Sequence, residues 1–243
     1  MKQKDLAIKL VGVSKIYQLH HEKPTLVENF VRVKKLEKYK ALDNLDLVIY
    51  QGEKVGIIGG NGSGKTTLLK IISGIATPNK GKVQTWGKVV SLIDLSAGFH
   101  PELTGVENIY QNAMLLGMDK AETTSKLKEI ITFADIGNFI DSPMYTYSEG
   151  MKLRLGFSVA MAVEPDILIL DEGIAVGDEN FQQKSSKKID ELFHQGKTIL
   201  VVSHWLEYLK KNCQRIIWFE KGKIKEIGGT SLIDKYKNRI EQD

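Results

Sequence analysis

Nine residues, Gly59-Gly60-Asn61-Gly62-Ser63-Gly64-Lys65-Thr66-Thr67, form the strongest structural signal in the chain. They fit the pattern G-x-x-x-x-G-K-[ST], between an apolar run that ends at Ile58 and the helical pattern Leu68–Ile72. The glycines let the backbone curl so that successive N–H groups point at phosphate oxygens, and the following helix adds its positive N-terminal end. Lys65 then reaches the β- and γ-phosphates, and the Thr66 hydroxyl is placed to ligate Mg²⁺. The stretch predicts a nucleotide site.

A second motif supplies the acidic partner that such a site needs. The apolar run Ile167–Leu170 is followed by Asp171 and Glu172, and ligands of open α/β sheets bind at the C-terminal ends of strands. We expect Asp171 to hold Mg²⁺ and Glu172 to act as general base on the attacking water. His204 follows the next apolar run and is a candidate γ-phosphate contact. Taken alone, the two carboxylates also fit a helix cap, and His204 fits a structural histidine.

Alternation of strand and helix patterns places the chain in the α/β class. The predicted strands of a parallel sheet are Val55–Ile58, Asp166–Leu170, Thr198–Val202 and Arg215–Phe219. They are mostly continuous apolar runs, as expected for strands covered on both faces. Looser alternation in Ala7–Tyr17 and Leu42–Tyr50 predicts antiparallel strands laid against that sheet, and residues from about 105 to 163 read as helical.

An amphipathic helix is predicted at about residues 25–38. Thr25 and Glu28 have capping-box spacing, apolar residues recur at helical spacing, and lysines and an arginine form a basic face. This pattern fits either a helix at a membrane surface or partner, or a solvated helix docked on its own domain.

Composition excludes several classes of protein. The chain has 243 residues, is 42% apolar and 26% charged, and carries a formal net charge of +4. These values indicate a folded domain and give no strong argument for nucleic acid. A signal peptide, a membrane-spanning run and an internal disulfide framework are not predicted, since the single cysteine is Cys213. We expect a soluble cytoplasmic protein.

The segment Tyr147-Ser148-Glu149-Gly150-Met151-Lys152 opens a helical pattern between the two phosphate-site motifs. With it, the sequence resembles the ATP-binding cassette (ABC) family over nearly its whole length. The resemblance implies a P-loop NTPase (RecA-like) core with a mostly parallel sheet, an antiparallel β subdomain and an α-helical signature subdomain at about 98–163. Residues 1–243 then form one ATP-binding domain, with 25–38 as an insertion.

The resemblance also assigns roles to individual residues. Tyr17 matches the aromatic that stacks on adenine, and His204 matches the switch histidine. Residues 175–178 match the D-loop. Ser148 and the Gly150 N–H match the signature, which donates to the γ-phosphate of ATP held by an opposite cassette. Since the chain has one P-loop and one signature, the resemblance implies a homodimer, or a heterodimer with a sister cassette.

Where the sequence departs from the general cassette pattern, it resembles the cassettes of one branch of the family, the exporters of O-antigen, capsule and teichoic acid. The signature reads Ser-Glu-Gly-Met, no glutamine occurs from Gly87 to Tyr110, and the basic helix lies between Tyr17 and the next strand. This similarity implies an ATPase at the cytoplasmic face of the bacterial plasma membrane. Its partners would be a multi-span permease and, through the whole complex, a lipid-linked glycan, with no nucleic acid. Asp94 is a candidate for the Mg²⁺ contact that the missing glutamine leaves open. Glu149 would bring a carboxylate close to the sandwiched phosphate, and the sequence leaves its effect on the turnover rate open.

Three other hypotheses remain at this point. The chain could serve a transporter of another substrate class, or a soluble cassette machine acting on DNA or ribosomes, although such machines usually carry two cassettes or long coiled coils. A catalytically dead scaffold is disfavoured because Lys65, Asp171, Glu172 and His204 are all present.

Overall fold

The computed structural model describes residues 5–19, 37–171 and 177–240. Its strands are β1 (Leu6–Leu19), β2 (Glu37–Tyr50), β3 (Lys54–Ile58), β4 (Lys80–Thr85), β5 (Val89–Ser91), β6 (Ile167–Asp171), β7 (Thr198–Val202), β8 (Arg215–Glu220) and β9 (Lys223–Gly228). Its α-helices are α1 (Lys65–Ile72), α2 (Gly105–Leu115), α3 (Lys120–Ala134), α4 (Glu149–Ala162), α5 (Glu179–His194), α6 (Leu206–Asn212) and α7 (Ser231–Ile240). Two short 3₁₀ helices, Gly137–Asp141 and Met144–Thr146, lie between α3 and α4.

The central sheet has six strands in the order β5-β6-β7-β3-β8-β9. All neighbours pair in parallel except β9, which runs antiparallel to β8. From β3 the chain crosses to β5 at one edge of the sheet, whereas from β7 it crosses to β8 on the other side of β3. Such a switch point opens a crevice at the C-terminal ends of the strands. The phosphate-binding loop leaves β3 at this crevice. The predicted mostly parallel α/β core is confirmed.

Continuous apolar runs form the central strands because both faces of the sheet are covered. In β6, Ile167 and Ile169 pack into a core shared with the antiparallel sheet and α1, whereas Leu168 and Leu170 pack under the helices on the opposite face. All four side chains are fully buried. Burial of each contributes about 1.5–3 kcal/mol, so polar residues are excluded from the run until Asp171 at the strand end.

A second, antiparallel sheet has the strand order β2-β1-β4. The loose alternation of its sequence has a structural cause, because the pairing of β1 with β2 shifts register between Leu10 and Val13. Gly12 lies in this irregularity with φ of +59°, and its amide donates to the Asp46 carboxylate at 2.8 Å. The bulge lets both strands extend to 14 residues each.

The region predicted as helical contains α2, α3 and α4. Capping boxes start α2 at Thr104 with Glu107, and α3 at Asp119 with Glu122, and each box satisfies N–H groups that the helix itself leaves unpaired. Helix α4 is buried along the whole of its second half, Leu155–Ala162. It packs against α2, α3 and α5, which makes it the centre of the helical part.

The predicted helix at 25–38 falls on residues that the structure does not describe, except that Glu37 and Lys38 belong to β2. Within 5–19, 37–171 and 177–240, no helix has the length and apolar character needed to cross a bilayer.

Candidate functional site

The phosphate-binding loop spans residues 59–64, between the end of β3 and the start of α1. Gly59, Gly62 and Gly64 have φ angles of +148°, +72° and +107°, a range in which a side chain is strained. A Cβ atom at Gly64 would lie 2.5 Å from the carbonyl oxygen of Ala41, and one at Gly59 would collide with the carbonyl oxygen of Phe219. Glycine is required at these two positions because strands pack directly against the loop.

A buried lysine side chain lies inside the loop and contacts its backbone. Lys65 is only 7% exposed, and its ammonium donates to the carbonyl oxygens of Gly59 at 2.9 Å and Gly60 at 3.1 Å. The charge of Lys65 and the N-terminal end of α1 both favour an anion here. The adjoining pocket has a volume of about 330 Å³ and is lined by Tyr39, Asn61, Gly62, Ser63, Gly64, Lys65, Thr66 and Thr67.

Ser63 provides a separate test of whether a polyphosphate fits this pocket. Its hydroxyl oxygen is buried and has no hydrogen-bond partner within the described part of the chain. Buried hydroxyl groups in proteins are almost always hydrogen-bonded. The Ser63 hydroxyl can donate a hydrogen bond, and the glycines around it leave space that side chains would otherwise fill. Both features fit a ligand rich in acceptor oxygens.

Thr66 and Asp171 meet at the mouth of the loop. The Thr66 hydroxyl donates to the Asp171 carboxylate at 3.0 Å, although the two residues come from α1 and β6. Both are oxygen ligands of the kind that Mg²⁺ prefers. No cluster of three or more acidic, histidine or cysteine side chains occurs among the described residues. Two protein oxygens with substrate phosphates fit Mg²⁺, which is commonly held in this way.

The remaining predicted catalytic residues, Glu172 and His204, follow β6 and β7 in the sequence. Glu172 directly follows Asp171 but lies outside the described residues, so its role stays a prediction. His204 is exposed and lies two residues beyond the end of β7, rather than within the strand. Its position at the C-terminal edge is consistent with the predicted γ-phosphate contact, which the structure does not test.

A tyrosine lines the pocket, and it is Tyr39, whereas the sequence pointed to Tyr17. Tyr17 and Tyr39 are directly opposite each other in the antiparallel pairing of β1 and β2. Tyr39 is the one that lines the phosphate pocket, and its hydroxyl donates to the Gly62 carbonyl at 2.5 Å. The β1–β2 register brings Tyr39 to the loop, and no local sequence motif signals this contact.

The predicted signature starts α4 and lies apart from the P-loop of the same chain. Ser148 is the N-cap of α4, and its hydroxyl accepts the Met151 N–H at 3.2 Å while keeping a proton to donate. Gly150 lies in the first turn, where an added Cβ would meet only the Ser148 hydroxyl, at 3.9 Å. The Glu149 carboxylate forms a 2.7 Å ion pair with Lys152. Neither Ser148 nor Gly150 lines the phosphate pocket.

The signature helix is tied to the segment predicted as the D-loop. Arg154 of α4 donates to the Ala134 carbonyl at 2.9 Å and to the Asp178 carboxylate at 3.2 Å. Asp178 in turn caps α5 by accepting the Phe181 N–H at 2.9 Å. Arg154 and Asp178 therefore connect α4 to the start of α5.

The segment that lacks the expected glutamine is held by a glutamine from elsewhere. Gln111 of α2 donates to the Gly98 carbonyl at 3.0 Å, and Ser96 contacts the Asp94 carboxylate at 3.4 Å. Gln111 thus supports the backbone of this segment. The metal contact suggested for Asp94 stays a prediction.

Comparison with known proteins identifies the family of the chain. The family model described as ABC transporter matches residues 42–175. The chain is 43% identical over 241 residues to the O-antigen export system ATP-binding protein RfbB of Klebsiella pneumoniae, covering 96% of this chain and 98% of that protein. It is 42% identical over 238 residues to the teichoic acids export ATP-binding protein TagH of Bacillus anthracis, covering 97% of this chain but 43% of TagH.

Solved structures agree in fold. The ATP-binding subunit of an ABC transporter superposes with a TM-score of 0.71 at 21% identity, covering 96% of this chain and 93% of that one. A dimeric post-hydrolysis state of the cassette MJ0796 bound to ADP and Pi gives a TM-score of 0.68 at 24% identity, covering 92% of this chain and 98% of that one. The family model spans more than half of the 243 residues, and the chain belongs to the ABC transporter family, as an ATP-binding cassette whose ATPase activity is coupled to transport.

Proposed function

We propose that this chain is the ATP-hydrolysing subunit of a membrane exporter for a lipid-linked cell-surface polysaccharide, of the O-antigen, capsule or teichoic acid class. One observation carries the choice of substrate class. The chain is 43% identical to the O-antigen export protein RfbB and spans 98% of its length, so the two cassettes correspond from end to end.

ATP is held by the loop that follows β3. The Lys65 ammonium exchanges its two carbonyl contacts for the β- and γ-phosphates, and the loop amides bind the remaining phosphate oxygens. Thr66 and Asp171, which are in contact at 3.0 Å, are the residues that would hold Mg²⁺. When bound, the ion neutralises charge that develops on the phosphates. Tyr17 stacks on adenine.

Hydrolysis takes place at the C-terminal edge of the central sheet. The carboxylate of Glu172 accepts a proton from the attacking water, a role worth about 10²–10⁴-fold in rate. His204 contacts the γ-phosphate from the neighbouring strand end. His204 follows β7, which is adjacent to β3, and Glu172 follows β6, which is adjacent to β7. This order of strands supports the assignment.

The site is completed by a second cassette. Ser148 and Gly150 do not line the phosphate pocket of their own chain, yet they present a hydroxyl and an N–H at a helix N-terminus, where γ-phosphate is favoured. A homodimer pairs each P-loop with the signature of the other copy. Size-exclusion chromatography with light scattering, with and without ATP, distinguishes this homodimer from pairing with a sister cassette.

A multi-span permease completes the transporter and places this chain at the cytoplasmic face of the plasma membrane. Two large apolar side chains at the end of α2, Met114 and Leu115, are 53% and 69% exposed and offer a contact surface for such a partner. The basic amphipathic segment at 25–38 is a second one. The small net charge of +4 gives no support for a nucleic-acid partner.

Depletion of the chain in its native cell tests the proposal. Lipid-linked polysaccharide is expected to accumulate inside the cell and to disappear from the surface. A wild-type copy should restore export, and Glu172→Gln should not. Glu179→Gln makes the same chemical change at an exposed position in the first turn of α5 and should restore export fully. Unchanged surface glycan after depletion would contradict the substrate class and leave the ATPase assignment standing.

A further inference from the structure

Tyr39 is the one residue outside the P-loop and the start of α1 that lines the phosphate pocket within the described part of the chain. Its side chain is 42% exposed. The phenol is anchored all the same, because its hydroxyl donates to the Gly62 carbonyl at 2.5 Å. The ring therefore has a fixed position at the pocket and an open face.

The backbone fixes this position from two sides. Two residues further along β2, the Ala41 carbonyl packs so closely on Gly64 that a Cβ there would lie 2.5 Å away. Strand β2 thus contacts both the middle and the end of the phosphate-binding loop. Gly62 has a φ of +72°, and the Tyr39 hydroxyl contacts the loop at this turn through the Gly62 carbonyl.

The second aromatic of this surface is Tyr17. Residues directly opposite in an antiparallel pair have Cβ atoms about 4.5–5.5 Å apart and project on the same face. Tyr17 and Tyr39 are such a pair. The Lys15 ammonium lies 5.1 Å from the centroid of the Tyr17 ring, which brings a cation to the same face. Two aromatic rings and a positive charge therefore extend from the phosphate pocket along sheet β2-β1-β4.

We propose that Tyr39 is a second nucleoside-binding residue, whose ring contacts the ribose and base of ATP next to Tyr17 while its hydroxyl braces Gly62. The proposal rests on the ATP-binding role given above and extends it. Every base has an aromatic face, and stacking of a base on a protein aromatic changes affinity by about tenfold. The two functions of Tyr39 are separable, because the ring acts on the nucleoside and the hydroxyl acts on the loop that holds the phosphates.

The contributions of the Tyr39 ring and of its hydroxyl are separated by measuring the binding of two ligands to the full chain. ATP carries a nucleoside, and inorganic tripolyphosphate carries the phosphates alone. Both are titrated by calorimetry in the presence of EDTA, so that ATP is not hydrolysed. Tyr39→Ala is expected to weaken ATP binding by about tenfold or more and tripolyphosphate binding by about two- to threefold. Tyr39→Phe keeps the ring, and it is expected to weaken both ligands by the same two- to threefold.

Tyr145→Ala is the control, since Tyr145 is 62% exposed in the short helix Met144–Thr146 and lines no part of the pocket. It should leave both affinities unchanged, and circular dichroism should show all variants folded. An unchanged ratio of ATP to tripolyphosphate affinity in Tyr39→Ala would overturn the proposal. If wild-type protein bound neither ligand, the ATP-binding role itself would fail, so the two failures are distinct.

Discussion

Replacement of Gly222 by alanine should weaken ATP binding, although this residue lies outside every phosphate-site motif. Lys221 and Gly222 form the two-residue turn between β8 and β9, with φ angles of +48° and +76°, the geometry of a type I′ hairpin. The Gly222 N–H donates to the Ser63 carbonyl at 2.8 Å, and its carbonyl accepts the Asp43 N–H at 2.9 Å. The turn therefore braces the phosphate-binding loop against β2.

The expected cost has two parts. Alanine at a left-handed φ costs about 1–2 kcal/mol, and its Cβ would lie 2.9 Å from the Ala41 carbonyl oxygen. Relief of that contact requires the turn to move, which weakens two hydrogen bonds worth about 0.5–1.5 kcal/mol each. Gly196 provides a matched control, since its φ is +71° and an added Cβ would meet no atom within 4 Å.

Two measurements separate the parts. Urea denaturation should show both variants destabilised by the backbone strain, with Gly222→Ala lower by a further 1–3 kcal/mol, roughly the two hydrogen bonds. Calorimetric titration with ATP should show an affinity loss of about tenfold in Gly222→Ala, for about 1.4 kcal/mol, and none in Gly196→Ala. Equal ATP affinity in the two variants would refute the idea that the hairpin turn positions the loop.

Three further substitutions or reactions test other parts of the site. Glu172→Gln should bind ATP normally and lose at least 10²-fold in phosphate release, whereas Glu179→Gln should keep full turnover; normal hydrolysis by the first variant would remove Glu172 from the base role. Glu149→Ser should raise turnover severalfold in a steady-state assay, because it removes a negative charge beside the phosphate held by the second copy; a fall in rate would show that the ion pair with Lys152 is needed instead. Burial raises the pKa of the Cys213 thiol to about 12, so at pH 8 a disulfide reagent should label this thiol only after unfolding. Since the unfolded thiol ionises near its usual pKa, the free energy of unfolding should decline as pH rises above about 9. Rapid labelling of the native protein would contradict this burial.

The central strands and the P-loop were predictable because their physical constraints are local. A strand covered on both faces must be apolar throughout, so β3, β6 and β7 were located within one residue at each end. The loop glycines, Lys65 and Thr66 form a motif with fixed spacing. The pairing of Thr66 with Asp171 follows from the shared C-terminal edge of the sheet, and the structure places the two side chains in contact.

Other features depend on register and distance, which local patterns do not encode. Strand β4 is mostly exposed and polar, and β5 has three residues, so neither has an apolar run to identify it. The contact of Tyr39 with Gly62 depends on which residues of β1 and β2 are paired. The brace at Gly222 joins positions more than 150 residues apart, and its only sequence signal is a turn glycine between two strands.

Co-purification from native membranes tests the central claim most directly. The tagged chain is recovered after gentle solubilisation, in parallel from cells that express wild-type protein and from untagged cells, and its partners are identified by mass spectrometry. The account predicts a stoichiometric, multi-span hydrophobic subunit with two copies of this chain. Recovery of the chain wholly in the soluble fraction, alone or with ribosomes or nucleic acid, would contradict the exporter and leave an ATPase with another task.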